Sequence, residues 1–332
     1  MLRWQREWTT GFSGAGAGPY IASLRTQRSS CRGRIRHMND TVQPISASAA
    51  GTIQLGDLTV NRMGFGAMRI TGKGVWGPPQ NRSAALETLL RAVELGVNLI
   101  DTADSYGPYI SEELIAEALA PYPSGLVITT KGGWERVGPG QWTHNASPKH
   151  LQSAVEGSLK RLRLDRIDVY QLHIPDPAVS FDASIETLAR LREQGKIRHV
   201  GLSNVTLEHV ERARKVVPIV SVQNRYSFAD REWDYLLDHC QTHGIAFMPW
   251  APLGQNREAH SALESAAREL GVTPLQVALA WLLQRAPAVL PIPGTSSVAH
   301  VQENVAAAGL KLPDSVFTLL SAIAPEPASL RG

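Results

Sequence analysis

An apolar run passes directly into a polar loop in the stretch VNLIDTADSYG, residues 97–107. A short apolar run that follows an amphipathic segment and a glycine is typical of a buried parallel strand. Asp101 then lies at the carboxyl end of that strand, and Tyr106 lies in the loop that follows it. A carboxylate and a phenol are therefore expected at the same edge of a parallel sheet.

Two later strands end in further proton-handling side chains. The runs at 127–131 and 167–173 close on Lys131 and His173. The carboxyl ends of parallel strands lie at one edge of the sheet, so we expect these residues to meet the pair from residues 97–107. Each residue alone has an ordinary structural interpretation, as a solvated, turn or hydrogen-bonding residue. Only their convergence indicates a catalytic site.

A strand–helix repeat runs through the chain. Helix patterns occur at residues 82–95, 111–120, 147–163, 181–194, 206–215, 230–243, 273–285 and 298–308. Short apolar runs precede them at 62–66, 97–101, 126–131, 167–173, 197–202, 219–222, 245–249 and 289–292. Strict alternation predicts an α/β fold with a parallel sheet. Eight units in about 250 residues predict closure into a single (β/α)8 TIM barrel, and we assign this domain to residues 51–325.

The amino-terminal part is expected to differ from the barrel. Residues 53–60 alternate around a two-residue turn, which predicts a hairpin. Residues 1–50 are rich in Arg, Ser, Gly and Ala without periodicity and are predicted to be a disordered extension. Two explanations stay open for it: an organelle transit peptide, or a mis-assigned start with Met38 as the true first residue.

Composition narrows the class of protein. Hydrophobic residues make up 43% and charged residues 19% of the chain, and no window approaches the roughly 20 apolar residues of a membrane span. The formal charge is +3, and the first 36 residues hold seven arginines against one acid, so the remainder offers no basic surface for nucleic acid. Two cysteines give neither a disulfide framework nor a metal site. We expect a cytoplasmic protein without nucleic-acid, membrane or metal partners; the oligomeric state stays open, and a monomer is compatible with the sequence.

The four side chains suit proton transfer to a carbonyl oxygen. A phenol has a pKa of about 10 in water and is a poor acid at neutral pH. A Lys131 ammonium beside Tyr106 would lower that pKa, and Asp101 would keep the ammonium charged. His173 could hydrogen-bond the same oxygen and orient the carbonyl. The carbon must then receive a hydride, which no side chain supplies, so a cofactor is required.

The chain resembles the aldo-keto reductases from about residue 53 to 320. The match rests on NLIDTADSYG (98–107), TTK (129–131), QLH (171–173), GLSN (201–204) and PIPGTSS (291–297). The resemblance implies a catalytic tetrad of Asp101, Tyr106, Lys131 and His173, with Tyr106 as the proton donor to a small carbonyl substrate. It also implies that an extended nicotinamide cofactor binds without a Rossmann domain.

The same resemblance implies a set of cofactor-binding residues. Ser203 and Asn204 would hydrogen-bond the nicotinamide carboxamide, and Trp250 would stack on the nicotinamide ring. Residues 251–254 would lie along the pyrophosphate, and residues 294–304 would hold the adenosine end at a helix N-terminus. The full set is Ala67, Met68, Asp101, Ser203, Asn204, Gln223, Trp250, Ala251, Pro252, Leu253, Gly254, Gly294, Thr295, Ser296, Ser297, His300, Glu303 and Asn304.

Two positions depart from the family and bear on the cofactor. Many relatives have a lysine where this chain has Gly294, and an arginine where it has His300, to pair with the 2′-phosphate of NADP. Neutral side chains weaken that charge argument. Hydroxyl and N–H groups at 295–297 could hold the phosphate instead, or could serve as ordinary helix caps. We therefore expect NADPH, with NADH not excluded.

Two tryptophans are candidates for the substrate pocket. Trp76 and Trp134 lie in loops expected to rim it, which favours an apolar or planar aromatic aldehyde; alternatively, they anchor the loops. The stretch GVWGPP at 74–79, together with residues 291–301, resembles bacterial members associated with pyridoxal reduction, which implies pyridoxal as a first substrate. The alternatives are a broad-range aldehyde-detoxifying reductase, a cofactor-sensing regulatory subunit, and a barrel enzyme with Lys131 as a Schiff-base nucleophile.

Overall fold

The computed structural model describes residues 44–252 and 257–323. The strands are β1 (Thr52–Leu55), β2 (Leu58–Asn61), β3 (Phe65–Gly66), β4 (Leu99–Asp101), β5 (Val127–Gly132), β6 (Trp134–Gly138), β7 (Gln141–His144), β8 (Ile167–Leu172), β9 (Ile197–Ser203), β10 (Ile219–Gln223) and β11 (Ala246–Phe247). The α-helices are α1 (Arg82–Glu94), α2 (Ile110–Leu119), α3 (Pro148–Leu162), α4 (Phe181–Glu193), α5 (Leu207–Arg214), α6 (Asp234–Thr242), α7 (Arg257–Leu270), α8 (Pro274–Arg285), α9 (Val298–Ala306) and α10 (Asp314–Ala322).

A parallel sheet organises the described residues. Seven of their strands pair in the order β11-β10-β9-β8-β5-β4-β3, which confirms the predicted strand–helix repeat. Residues 289–293 hydrogen-bond both edges of this sheet. The Leu290 N–H donates to the carbonyl of Phe247 at 2.8 Å, and the Gly64 N–H donates to the carbonyl of Pro291 at 3.0 Å. The predicted eighth apolar run therefore links β11 to the β3 edge.

The two faces of the sheet bury different cores, because successive strand side chains point to opposite faces. Ile100 and Ile128 belong to the core that also holds the helices. The other face carries a smaller apolar cluster, made of Leu55, Val60, Leu99, Val127, Val169, Val220, Ala246, Met248 and Leu290. Leu55 and Val60 come from the predicted β1–β2 hairpin, which therefore packs on this second face. Polar residues two positions beyond Leu99, Val127 and Val169 share that face.

Helix ends follow the predicted local signals. Ser147 accepts a hydrogen bond from the His150 N–H at 3.3 Å and precedes a first-turn proline. Thr273 and Gln276 form a reciprocal capping box at the start of α8. The predicted glycine stop after α1, Gly96, has a φ of +82°.

Several elements differ from the prediction. Ala47–Ala50 form a 3-10 helix, and the N–H of the buried Ala47 donates to the carbonyl of Leu95 at 2.8 Å. The predicted disorder is therefore wrong for residues 44–50, while residues 1–43 lie outside the described residues. The hairpin β6–β7 and the helices α7 and α10 were not predicted. The alanine-rich run at 259–267 is the helix signal that could have identified α7.

The helices of the described residues are short relative to a membrane span. Within the described ranges, no single helix is long and apolar enough to cross a membrane. Two segments, Val298–Gly309 and Asp314–Ala322, are together long and apolar enough for a span, but the chain bends by 110° between them.

Candidate active site

A buried ion pair lies at the carboxyl ends of β4 and β5. Lys131 Nζ donates to Asp101 Oδ2 at 2.7 Å, and both side chains are almost completely buried. Lys131 Nζ also donates to the carbonyl of Thr102 at 2.9 Å. Burial opposes the ammonium charge, but Asp101 and Tyr106 outweigh it and raise the pKa of Lys131. The amine is therefore protonated at neutral pH.

Three neutral donors surround the other oxygen of Asp101. Its Oδ1 accepts hydrogen bonds from Thr129 Oγ1 at 2.7 Å and from the side-chain amides of Gln171 and Gln223, each at 3.1 Å. A buried carboxylate is stable only when its lone pairs are satisfied in this way. Sequence reasoning missed Thr129 and Gln171 as parts of the catalytic cluster. The period-two spacing before Lys131 and His173 is the signal that could have found them.

Tyr106 lies beside this pair. Its ring centroid is 5.3 Å from Lys131 Nζ and 5.9 Å from the ring of His173, and the residue is 7% exposed. Burial raises the pKa of the phenol more than the Lys131 charge lowers it, so the net direction is upward. The predicted net lowering of this pKa is therefore wrong. Desolvation of the phenolate outweighs one neighbouring cation.

His173 follows β8 and is held from two sides. Its Nδ1 lies 3.4 Å from Ser105 Oγ, and its carbonyl accepts a hydrogen bond from Asn204 Nδ2 at 3.1 Å. Burial, with Lys131 as a second cause, lowers the pKa of His173 well below its usual value. The imidazole is therefore neutral, and a Ser105 hydroxyl that donates to Nδ1 would leave the ring proton on Nε2.

The two tryptophans predicted to line the substrate pocket have different surroundings. Trp134 begins β6, and its ring centroid is 6.4 Å from that of His173 in an edge-on arrangement. Trp76 pairs with Gly107 through the backbone and has the Arg136 guanidinium 5.5 Å from its ring. Arg136 also stacks on Trp142 at 3.7 Å and donates to the carbonyl of Ser105 at 3.0 Å. Trp134 therefore contacts the catalytic cluster, whereas Trp76 anchors its loop.

The residues predicted to hold nicotinamide lie at neighbouring strand ends. Ser203 and Gln223 end β9 and β10, and Asn204 follows with a φ of +55°. Asn204 Nδ2 donates to Ser203 Oγ at 3.1 Å as well as to His173. Trp250 pairs with Arg225 through the backbone beyond β11. These residues therefore lie at the ends of the strands that come next to β8 in the sheet.

The structure describes some, but not all, of the remaining residues predicted to bind the cofactor. Ala67 is buried, and its carbonyl accepts a hydrogen bond from Ser111 Oγ at 3.1 Å, whereas Met68 is exposed. The structure places Ala251 and Pro252 at partly buried positions. The predicted residues Leu253 and Gly254 lie outside the described residues.

The backbone around Gly294 leaves no room for a side chain. A Cβ added at this position would overlap the carbonyl oxygen of Gly66. A Cβ added at Gly66 would in turn lie 2.6 Å from the carbonyl oxygen of Ile292. The two backbone segments approach too closely for side chains at either position. A cation at residue 294 is therefore incompatible with this packing.

Comparison with known proteins gives the family. The model of the Aldo/keto reductase family matches residues 62–325. The chain belongs to the aldo/keto reductase family. It is 47% identical to an uncharacterized oxidoreductase of Schizosaccharomyces pombe, over 83% of this chain and 90% of that relative. It is 46% identical to pyridoxine 4-dehydrogenase of Escherichia coli, over 84% of this chain and 100% of that relative.

A solved member of the family has the same fold. The aldo-keto reductase from Klebsiella pneumoniae in complex with NADPH matches with a TM-score of 0.71 and 28% identity. The match covers 83% of this chain and 96% of that chain.

Residues 295–304 have features that fit the phosphate and base of a dinucleotide. Thr295 Oγ1 accepts a hydrogen bond from the Ser297 N–H at 3.1 Å, which is an ordinary local cap. Ser297 itself makes no side-chain cap at the start of α9, so the first-turn N–H groups are open to an anion. Asn304 is buried, and its Oδ1 accepts no hydrogen bond from a described residue. Such an acceptor is costly unless a ligand donates to it.

His300 and Glu303 lie on α9, and each contacts a neighbouring segment. The Nδ1 of His300 lies 3.4 Å from Thr295 Oγ1. The carbonyl of Glu303 accepts a hydrogen bond from Gln276 Nε2 at 3.0 Å, which ties α9 to α8. These contacts hold α9 against Thr295 and α8.

Proposed function

We propose that this chain reduces an aldehyde or ketone to the alcohol with NADPH, on a closed (β/α)8 barrel, with Tyr106 as the proton donor. The observation that carries the proposal is the buried Lys131–Asp101 pair, whose ammonium lies 5.3 Å from the Tyr106 ring. A protonated amine beside a buried phenol favours a reaction in which that phenol gives up its proton.

The proposed chemistry assigns one role to each side chain. Bound NADPH supplies the hydride that the carbonyl carbon receives. The Tyr106 hydroxyl, neutral because of its raised pKa, donates its proton to the carbonyl oxygen. Lys131 stabilises the phenolate as it forms, and Asp101 holds the ammonium in place. The neutral His173 donates an N–H to the same oxygen and fixes the direction of the carbonyl.

The cofactor preference can be measured directly. Ser203, Asn204, Gln223 and Trp250 would hold the nicotinamide end, and Ser296 and Ser297, just before α9, would hold the phosphate. Titration of the purified protein with NADPH and with NADH, followed by fluorescence, would give both dissociation constants. We expect NADPH to bind more tightly, and tighter binding of NADH would contradict the proposal.

Pyridoxal is the substrate that we propose to assay first. The 46% identity to pyridoxine 4-dehydrogenase supports it, as does the Trp134 ring next to His173. A panel of carbonyl compounds should be followed by the loss of reduced-nicotinamide absorbance. We expect the highest kcat/KM for pyridoxal. Equal rates across unrelated aldehydes would favour a broad-range detoxifying reductase, and no turnover of any aldehyde would favour a regulatory subunit.

The raised pKa of Lys131 argues against a Schiff-base role, because such a nucleophile must be neutral. Borohydride treatment in the presence of a carbonyl compound should therefore leave Lys131 unlabelled. Covalent labelling would contradict the proposed reductase mechanism. The cytoplasmic location stays a prediction.

A further inference from the structure

A second cavity lies beside the catalytic cluster. Its volume is about 370 Å³, and it is bounded by the loop that precedes α2, by the hairpin β6–β7 and by α3. The residues that matter for its chemistry are Asp104, Tyr109, Trp134, Arg136, His150 and Ser153. Tyr106, Lys131 and His173 do not belong to its described lining. The cavity therefore shares Trp134 with the proposed carbonyl site but does not include the groups assigned to proton transfer.

Asp104 is a buried acid with no side-chain partner in this cavity. The residue is 3% exposed, and its Oδ1 accepts no hydrogen bond from any residue that the structure describes. Arg161, whose charge acts on Asp104, is engaged by Glu112, with 2.6 Å between Nε and Oε2. Burial, with the Glu112 carboxylate as a second cause, raises the pKa of Asp104 well above its usual value. In its protonated form this carboxyl group offers one O–H donor and a free acceptor.

His150 presents a second unpartnered atom. Its Nδ1 lies 3.3 Å from Glu135 Oε1, while its buried Nε2 has no hydrogen-bond partner among the described residues. Burial lowers the pKa of His150 below its usual value although Glu135 opposes this, so the ring is neutral at pH 7. Two buried polar atoms that lack partners are costly unless a ligand satisfies them.

The rest of the lining defines the shape and charge of a ligand. Trp134 offers an aromatic surface on which a flat ring can stack. Glu135 and Arg136 contribute one charge of each sign, and Arg161 is already paired with Glu112. The lining therefore favours neither a strong anion nor a strong cation. The volume is sufficient for a single-ring molecule.

We propose that this cavity binds a neutral, planar, single-ring molecule that carries hydroxyl or ring-nitrogen groups, which hydrogen-bonds Asp104 and His150 and stacks on Trp134. Such a ligand would reach the catalytic cluster through Ser105. Ser105 lines the cavity with its neighbour Asp104, and its Oγ lies 3.4 Å from His173 Nδ1. Occupancy would therefore modulate turnover without blocking the carbonyl site. The proposal does not depend on which carbonyl compound is reduced.

The test uses 3-hydroxypyridine, a ring compound that has no carbonyl or alcohol carbon for hydride transfer. Calorimetric titration of the full chain should be compared with Ser153→Trp and Gln152→Trp. Both residues are exposed on α3, but only Ser153 lines the cavity, so the first variant fills its mouth and the second is a matched control. We expect Ser153→Trp to weaken binding at least about tenfold and Gln152→Trp to leave it unchanged.

A second pair of variants tests the role of Asp104. Asp104→Asn keeps the shape of the side chain with one donor and one acceptor, and should retain binding. Asp104→Leu removes both and should weaken binding about tenfold or more. No measurable binding to the wild-type chain, or binding that Ser153→Trp leaves intact, would overturn the proposal. Competition between 3-hydroxypyridine and the carbonyl substrate would also overturn it, because the probe would then occupy the catalytic site.

Discussion

The phenol of Tyr106 is subject to two opposing effects, and their balance sets its chemistry. Burial disfavours the phenolate, and the Lys131 ammonium favours it. Burial is the larger effect, so the ground-state side chain keeps its proton. For reduction this is the useful state, since the donor must be protonated before the hydride arrives. Lys131 then acts mainly on the charge that develops during transfer.

Replacing the phenol with a phenyl ring tests the role of the hydroxyl proton in the reaction. We expect Tyr106→Phe to lower kcat by about 10²–10⁴-fold and to leave the affinity for NADPH within about twofold, since the hydroxyl is proposed to act on the carbonyl oxygen. Steady-state kinetics and cofactor titration measure the two effects. Near-normal turnover in this variant would show that another group donates the proton.

Removing the ammonium should change the pH dependence. In Lys131→Met the pKa of Tyr106 loses its main lowering influence and rises further. Alcohol oxidation needs the phenolate as a base, so its rate should rise with pH at higher values than in the wild type. The double variant with Asp101→Asn controls for the buried carboxylate left unpaired. An identical pH–rate profile would mean that Lys131 does not tune the phenol.

The neutral His173 has a consequence for stability. Its folded-state pKa is well below 6.5, whereas the unfolded chain binds the proton near pH 6.5. As pH falls below about 6.5, the unfolded state gains protons that the folded state does not, so the free energy of unfolding decreases. Urea unfolding at pH 5.5 and 7.5 should show a smaller decrease for His173→Gln than for the wild type. An equal decrease in both proteins would assign the effect to other groups.

Among the secondary-structure elements, β3 and the segment before α9 pack so closely that only glycine fits at their contact. Gly66 and Gly294 come from opposite ends of the fold, and neither can carry a Cβ without overlapping the other segment. The backbone packing therefore excludes a lysine at residue 294. The first turn of α9, with Thr295 and its neighbouring hydroxyls, is left to recognise the phosphate.

Gly294→Ala tests this packing. We expect it to destabilise the protein by roughly 1–3 kcal/mol and to raise the KM for NADPH, because the segment must shift away from Gly66. Gly138→Ala in β6 is the matched control, because its added methyl meets only the end of the exposed Gln141 side chain. Urea unfolding should separate the two variants, and equal stability would show that residue 294 is not sterically restricted.

For the whole molecule, the decisive contacts join residues that are far apart in sequence. Arg62, just before β3, donates from Nη2 to the carbonyls of Leu283 and Ala286 at 2.9 and 2.7 Å. Its Nε donates to the carbonyl of Val289 at 3.1 Å. One guanidinium therefore fastens the first strand of the sheet to the end of α8 and to the segment that links the sheet edges.

Arg62→Met should be strongly destabilising, because it leaves three partly buried carbonyls without their charged donor. We expect a loss of roughly 2–5 kcal/mol in the free energy of unfolding, measured with urea, and a smaller loss for Arg62→Lys. Arg268→Met, at an exposed position on α7, is the control for removing a surface arginine. A loss no larger than that of the control would show that Arg62 does not hold the two ends of the sheet together.

Sequence alone determined the strand–helix repeat, the helix caps at Ser147 and Thr273, and the meeting of Asp101 with Lys131. These follow from hydrophobic periodicity, local hydrogen bonding and the common edge of parallel strands, all of which act over short stretches of chain.

Tertiary structure alone decided three further features. These are the direction of the Tyr106 pKa, the second side-chain amide, from Gln223, that donates to Asp101, and the close backbone approach that leaves no room for a side chain at residue 294. Each depends on how deeply a group is buried and on which distant backbone approaches it. Burial and close approach arise only when elements separated by many residues pack together, so no local pattern encodes them.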